Sequence, residues 1–163
     1  MNFVSSSAHQ PDLSGLIQAF VHAVGEDSMI DPFTPAQWST VAPYLQQCSL
    51  AAGQVLFTRG ASERTLYLIE SGSLSVHYED EKERLRLAIV GSGSAVGEGA
   101  FFSQRPRSAS VQAAAASKLW GLTSLRFIEL SNRQPALALG LAMAAGSVLA
   151  RRLSNRRRRV AAT

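Results

Sequence analysis

Residues 97–109 read Gly97-Glu98-Gly99-Ala100-Phe101-Phe102-Ser103-Gln104-Arg105-Pro106-Arg107-Ser108-Ala109, and the rest of the chain is organised around them. A phosphate group needs backbone N–H groups brought close without side chains in the way, a positive local field, and a cation placed opposite. Gly97 and Gly99 permit close approach and unusual backbone angles. The run Glu98 to Phe102 can make one helical turn whose exposed N–H groups and dipole favour an anion. Arg107, arriving from the far side, can grip two phosphate oxygens bidentately. Glu98 is an acceptor-only carboxylate at neutral pH and suits a ribose hydroxyl, and Ser108 adds a short donor.

Outward from this stretch, the apolar period is about two from Ser49 onward, with Gly53, Gly60, Gly72, Gly91 and Gly93 as punctuation. Val55 and Phe57, Leu66 and Leu68, then Leu74, Val76 and Tyr78, then Leu85, Leu87 and Ile89 alternate. Ser110 to Ala115 and Lys118 to Leu122 supply closing strands. Many short strands with glycine turns argue for a barrel or roll. Tyr78 to Arg84 is a charge run between two strands, read as a solvated hairpin; Glu79, Asp80, Glu81 and Glu83 are not assigned to a metal.

Gly97, Glu98, Arg107, Ser108 and Ala109 together resemble the phosphate-binding cassette of the cyclic nucleotide-binding domains, the family of the bacterial catabolite activator protein and the protein kinase A regulatory subunits. Its pattern is Gly-Glu, two apolar residues, a short loop, then Arg-Ser/Ala-Ala. Gly53-Gln-Val-Leu-Phe57, Gly60, Leu66-Tyr-Leu-Ile69 and Gly72-Ser-Leu-Ser-Val76 follow the family's strand-and-glycine pattern, so the resemblance covers roughly Phe33 to Leu153. One departure is Gly99, where the family has an aliphatic residue; a smaller residue leaves the short helix looser or gives a bulkier ligand room.

The resemblance implies a mostly β fold with flanking helices, a jelly-roll-like double-stranded β-helix closed by a C-terminal helix. It implies a non-catalytic sensor of a 3′,5′-cyclic nucleotide, with cyclic AMP favoured over cyclic GMP. The phosphate is expected on the Gly97 to Ala100 backbone and Arg107, the ribose on Glu98, and the base between roll and last helix. Val76, Gly99, Ser108 and Ala109 complete the expected ligand-binding set. Catalytic residues, metals and cofactors are not expected. The implied mechanism is a switch in which the last helix moves about a hinge near Ser131 to Pro135.

Before the roll, Leu13, Leu16, Ile17, Phe20 and Val24 recur at helical spacing behind Asp12 or Ser14 as a cap, with Gly25 as a stop. This helix is a prop against the roll or a partner-binding element. Thr34 offers an N-cap to a second helix with Pro35 at its first position, buried through Trp38, Val41 and Leu45 and kinked at Pro43. Behind the cassette, Ser124 is the expected cap of a short helix holding Phe127, Ile128 and Leu130. Pro135 then starts the last helix, whose apolar residues fall into two sets. Leu137, Leu141, Ala144 and Val148 form one; Leu139, Met143, Gly146, Ala150 and Leu153 form the other. A helix apolar on two sides must be covered on two sides. One face suits the roll, and the other suits a second copy in a homodimer or a core within one chain. Many bacterial relatives pair through this helix, which tilts the expectation to the homodimer.

The chain has 163 residues, 46% of them hydrophobic, enough for one proper core and a single domain. We divide it into an extension over residues 1–32 with one helix, the nucleotide-binding domain over 33–155, and a basic tail over 156–163. Six arginines, Arg151, Arg152 and Arg156 to Arg159, carry the +4 net charge; without them ten basic residues face twelve acidic ones. The tetrad can neutralise phosphates on nucleic acid or acidic lipid, or complement the helix dipole and solubilise its end. A DNA- or acidic-partner-binding regulator fragment using this tail is the alternative function. Transcriptional relatives need roughly 60 more residues for a DNA-binding domain, and only ten follow Leu153. The start at Met1 favours a free-standing sensor acting on an unknown effector over a fragment. A single Cys48 excludes an internal disulfide and fits a cytoplasmic location. Residues 1–12 lack a secretory pattern, and the apolar run Ala136 to Ala150 is short for a bilayer span. His9, His22 and His77 form no metal-ligand or nucleophile-base spacing.

Overall fold

Where the apolar period is two, the described residues form eight strands: β1 (Gln46–Leu50), β2 (Val55–Phe57), β3 (Leu66–Ser71), β4 (Ser73–Glu79), β5 (Leu85–Gly91), β6 (Ala95–Val96), β7 (Ser110–Ala113) and β8 (Ser117–Leu122). The structure, a computed structural model, describes residues 10–161, with side chains as far as Asn155. The strands make two four-stranded antiparallel sheets, ordered β1-β8-β3-β6 and β2-β7-β4-β5. Their facing residues, among them Leu50, Phe57, Ile69, Leu74, Val111 and Leu119, form one core inside the roll. The fold is the expected mostly β roll with flanking helices and a C-terminal helix.

Alternation located β5 but not the direction of its apolar face. Leu85, Leu87 and Ile89 are 80%, 59% and 58% exposed. They pair with Glu79, His77 and Ser75 of β4, so they share the outer face of an edge strand, and the inward residues are Ala88 and Val90. The charge run turns between β4 and β5 on Asp80, whose Oδ1 accepts the Lys82 and Arg84 N–H groups. The Arg84 backbone N–H, the Arg86 and Arg84 guanidinium groups and the Lys82 N–H hold its carboxyl well below the usual carboxylate range, against a smaller opposing effect of desolvation.

Among the described residues five α-helices flank the roll: α1 (Ser14–His22), α2 (Pro35–Val41), α3 (Glu98–Ser103), α4 (Ser124–Arg133) and α5 (Pro135–Ala161). Asp12 Oδ1 accepts the Ser14 N–H at the start of α1, which buries Leu13, Leu16 and Phe20 in a second core beneath β3 and β8. Val24 lies beyond the helix and is fully exposed, contrary to its place in the apolar period. Thr34 and Gln37 cap α2 reciprocally, as a capping box. Rather than kinking α2, Pro43 sits in a 3-10 turn, Ala42–Tyr44, that ends it. Trp38 stacks on Phe20 and meets Phe33 edge-on, and its Nε1 donates to Asp31. The cap of α4 is Thr123, one residue earlier than expected, with its Oγ1 accepting the Arg126 N–H.

The two apolar sets of α5 separate as the spacing predicts except at Ala144, which is only partly buried while Ala145, in neither set, is fully buried. Leu137, Leu141 and Val148 are buried in the second core, together with Ala145, whereas Leu139, Met143 and Leu153 are 63%, 68% and 51% exposed. Within the described residues α1 lies on β3 instead, so it does not cover this second set. The apolar run belongs to a longer helix than expected. By length and composition alone Pro135–Asn155 is apolar enough to cross a bilayer, with a mean hydropathy of 1.4, yet its Leu137 face is packed in the protein core. The side chains of Arg156 to Arg159, and the whole of residues 1–9, lie outside the described residues.

Candidate functional site

β6 ends at Val96, and the backbone turns into α3 through Gly97 at φ +84°. An L side chain is strained at that angle. It also has no room there: a Cβ on Gly97 would fall 2.5 Å from Arg107 Nη1 and 2.6 Å from the Thr65 carbonyl oxygen. Gly99 has an ordinary φ, and the nearest atom to a Cβ there is Ser108 Oγ at 4.0 Å. The missing aliphatic side chain therefore leaves open space facing Ser108. Buried Phe101 anchors α3 by an edge-on contact with Phe127 of α4, 5.2 Å between ring centroids.

Arg107 follows the loop after α3 and is only 3% exposed. Its backbone is pinned to the turn after β2, with its N–H donating to Ala61 O and its carbonyl accepting from Gly60 N, both at 2.8 Å. The guanidinium lies over the Phe57 ring, 3.9 Å from the centroid. Nη1 donates to Gly97 O at 3.1 Å, and Nη2 donates to Thr65 O at 2.8 Å and to Glu63 Oε2. A bidentate grip using both terminal nitrogens equally is thus not what the geometry offers, because three of five N–H donors already serve the protein. Nε has no partner among the described residues, although it is buried. Desolvation opposes ionisation of Glu63, but hydrogen bonds from Thr65 and Arg107 outweigh it and hold the carboxyl below its ordinary value.

Glu98 opens α3. Its Oε1 accepts from Arg152 Nη1 of α5 at 2.7 Å, and the same guanidinium donates to Asp27 Oδ2 at 3.2 Å and Ser94 Oγ at 3.0 Å. Between the two arginines lies a cavity of about 230 Å³. Val76, Gly97, Glu98, Gly99, Ala100, Arg107, Ser108 and Ala109, the residues singled out in the sequence, all line it. Phe57, Val90, Val96, Val111 and Leu149 add an apolar wall. The cavity therefore offers a buried cation, glycine backbone, a carboxylate next to that backbone and an apolar wall.

The sequence profile of the cyclic nucleotide-binding domain matches residues 47–134, more than half of the chain. The chain belongs to the cyclic nucleotide-binding domain family. It is 26% identical over 106 residues to a cAMP-dependent protein kinase regulatory subunit of Blastocladiella emersonii, a match covering 64% of this chain and 26% of that protein. It thus spans about a quarter of the length of the curated relatives it matches. The crystal structure of a cyclic nucleotide-binding domain from Methylobacillus flagellatus superposes with a TM-score of 0.76, over 90% of this chain and 80% of that one, at 20% identity. The catabolite activator protein of Thermus thermophilus superposes with a TM-score of 0.66, over 87% and 61%, at 25% identity.

Against this cyclic nucleotide-binding frame, four site residues escaped the sequence reading. Glu63 and Thr65 hold Arg107 from a loop whose residues looked like ordinary turn residues. Arg152 holds Glu98 from 54 positions away, and Asp27, 71 positions before Glu98, holds Arg152. Arg152 was legible only as one of six terminal arginines; the signal that separates it is its place on an apolar helix, four residues after Val148 of the buried face.

Proposed function

We propose that the protein is a non-catalytic sensor that binds a 3′,5′-cyclic nucleotide, with cyclic AMP favoured over cyclic GMP, and signals through the position of α5. The observation that carries this reading is the buried Arg107, fixed on three protein acceptors beside the Gly97 backbone, with Nε unpartnered among the described residues. Glu63 already pairs the charge, but a buried N–H left without an acceptor is costly, and a ligand oxygen at Nε removes that cost. A cyclic phosphodiester supplies one negative charge on oxygens that accept from Arg107 and from the α3 N–H groups. The ribose hydroxyl then falls to Glu98, with one carboxylate oxygen committed to Arg152 and the other taking no hydrogen bond among the described residues. The base rests on the apolar wall under α5. Gly97, Gly99, Ala100, Ser108 and Ala109 line the phosphate end, and Val76 belongs to the wall.

The named cyclic AMP dependence of the regulatory subunit relative supports cyclic AMP as the ligand. The residues assigned to the nucleotide belong to the 33–155 domain, and Glu26 and Asp27 of the 1–32 extension join them in lining the cavity, in a cytoplasmic protein. The exposed Leu139, Met143 and Leu153 face of α5 is the surface we assign to a homodimer. An effector protein reads the helix. Calorimetric titration with cyclic AMP, cyclic GMP and linear AMP tests the reading: saturable binding of cyclic AMP, weaker cyclic GMP and no measurable linear nucleotide are expected. Equal binding of linear AMP overturns it.

A further inference from the structure

The segment joining α1 to α2 crosses the mouth of the cavity, and three consecutive residues of it each hold one residue of α5. Glu26 Oε2 accepts from Asn155 Nδ2 at 3.0 Å, Asp27 Oδ2 accepts from Arg152 Nε at 3.2 Å, and the Ser28 carbonyl accepts from Arg151 Nη2. The strap is itself anchored to the roll. Ser94 Oγ donates to Asp27 O at 2.7 Å, Met29 N–H donates to Gly93 O at 2.8 Å, and the Met29 side chain is buried. Glu26 and Asp27 line the cavity together with Arg152 and Asn155. Strap, last helix and Glu98 therefore meet at one guanidinium. All three strap residues precede the stretch matched by the family profile.

We propose that Glu26–Asp27–Ser28 is a clasp that holds α5 across the mouth of the cavity and retains the ligand, with Asp27 a positioning residue that acts on Glu98 through Arg152. The inference rests on the reading of the cavity as a cyclic nucleotide site. At about 230 Å³ the cavity is below the ~300 Å³ at which ligand pockets commonly begin. A nucleotide occupying it lies against Leu149, Arg152 and Leu153 of α5, so whatever holds α5 bears on its rate of departure. An Arg fork suits this post because Nε, Nη1 and Nη2 serve Asp27, Glu98 and Ser94 from three separate nitrogens in one plane, a spacing that three donors on a single lysine nitrogen do not reproduce.

Electrostatics alone argues the opposite sign, which makes the test decisive. Removing a carboxylate from the surroundings of an anionic ligand strengthens binding by field effects, whereas opening a clasp shortens retention. In Asp27→Asn the dissociation rate of a base-substituted fluorescent cyclic AMP, chased with unlabelled cyclic AMP in stopped flow, is expected to rise at least fivefold, with association changed less than twofold. Arg152→Gln is expected to do the same, and the double variant no more than the larger single effect. In the ligand-free chain, Asp27→Asn is expected to raise hydrogen exchange across Leu149–Asn155. Unchanged or slower dissociation overturns the proposal, as does unchanged exchange. If the parent binds no cyclic nucleotide while exchange still rises, the reading of the cavity fails and the hold on the helix stands.

Discussion

Replacing Arg107 with lysine isolates the fork from the charge. The guanidinium donates to Gly97 O, Thr65 O and Glu63, lies on Phe57, and retains Nε and a second Nη1–H for a ligand. A lysine keeps the positive charge, and hence the long-range attraction for a phosphate. Its three donors converge on one atom and cannot span two carbonyls, a carboxylate and an anion. Losing a hydrogen bond to a charged group costs about 1.5–3 kcal/mol, and each 1.4 kcal/mol is about tenfold in affinity. Arg107→Lys should therefore raise the Kd for cyclic AMP between roughly tenfold and a hundredfold. Arg107→Ala should lose at least as much binding, but it also removes the bonds to Glu63 Oε2, Thr65 O and Gly97 O from a buried position, so its stability falls too. Isothermal calorimetry measures the affinity, and thermal unfolding without ligand separates the two effects. A folded Arg107→Lys variant with the parent Kd would refute the assignment of Arg107 to the phosphate.

Glu98→Gln should weaken binding of cyclic AMP more than of its 2′-deoxy analogue; equal losses in competition titrations would remove Glu98 from the ribose. Gly97→Ala should abolish measurable binding and lower the unfolding free energy by about 1–3 kcal/mol, the cost of a non-glycine residue in strained backbone, because its Cβ collides with Arg107 and Thr65 O; parent-like affinity would show that the cradle is not used. The folded pKa of Glu63 lies below the unfolded value of about 4.3. Its stabilising contribution is therefore complete above that value and lost as pH falls through the folded pKa. Glu63→Gln should flatten the acid limb of the stability curve below about pH 4.5, and a limb as steep as the parent's counts against the Arg107 pair. Met143→Glu should convert a dimer at tens of micromolar into a folded monomer in light-scattering chromatography, since the side chain is 68% exposed and costs nothing within one chain; a monomeric parent with ligand present dismisses the dimer.

The strands and the cassette were legible because alternation and a short motif are local, whereas the pairing of β1 with β8 and of β2 with β7 is not. Gly97, Glu98 and Arg107 lie within eleven residues, and glycine at φ +84° has a steric cause readable in one dimension. Alternation found β5 but not its facing, because period two labels two faces without saying which is dry. Val24 failed for a similar reason: the helical period runs on past His22, but the helix does not. What holds Arg107 and Glu98 was hidden because ion pairs form between distant positions and leave no spacing in the sequence. Glu63 is an ordinary loop acid until Arg107 is seen beside it, and Arg152 is one arginine among six until α5 is laid against α3.

The division of partners between the two site residues bears on how such a sensor could switch. A ligand that binds two states of α5 equally well shifts neither, however tightly it binds. The protein acceptors of Arg107, namely Gly97, Thr65 and Glu63, all belong to the roll, and none belongs to α5. A phosphate on Arg107 accordingly contributes affinity that depends little on where α5 lies. Glu98 differs, since its carboxylate is shared with Arg152 on α5 and, through it, with Asp27 on the strap. A hydroxyl donated to Glu98 changes a group that α5 itself holds, so contacts at the ribose end discriminate between helix positions. Shifting such an equilibrium from 1:99 to 99:1 takes about 5.5 kcal/mol of differential binding. One hydrogen bond to a charged group supplies about 1.5–3 kcal/mol. The remainder must come from other surfaces that exist only when α5 is closed, and within the described residues these are Leu149 and Leu153, the two apolar α5 residues that line the cavity over the expected place of the base.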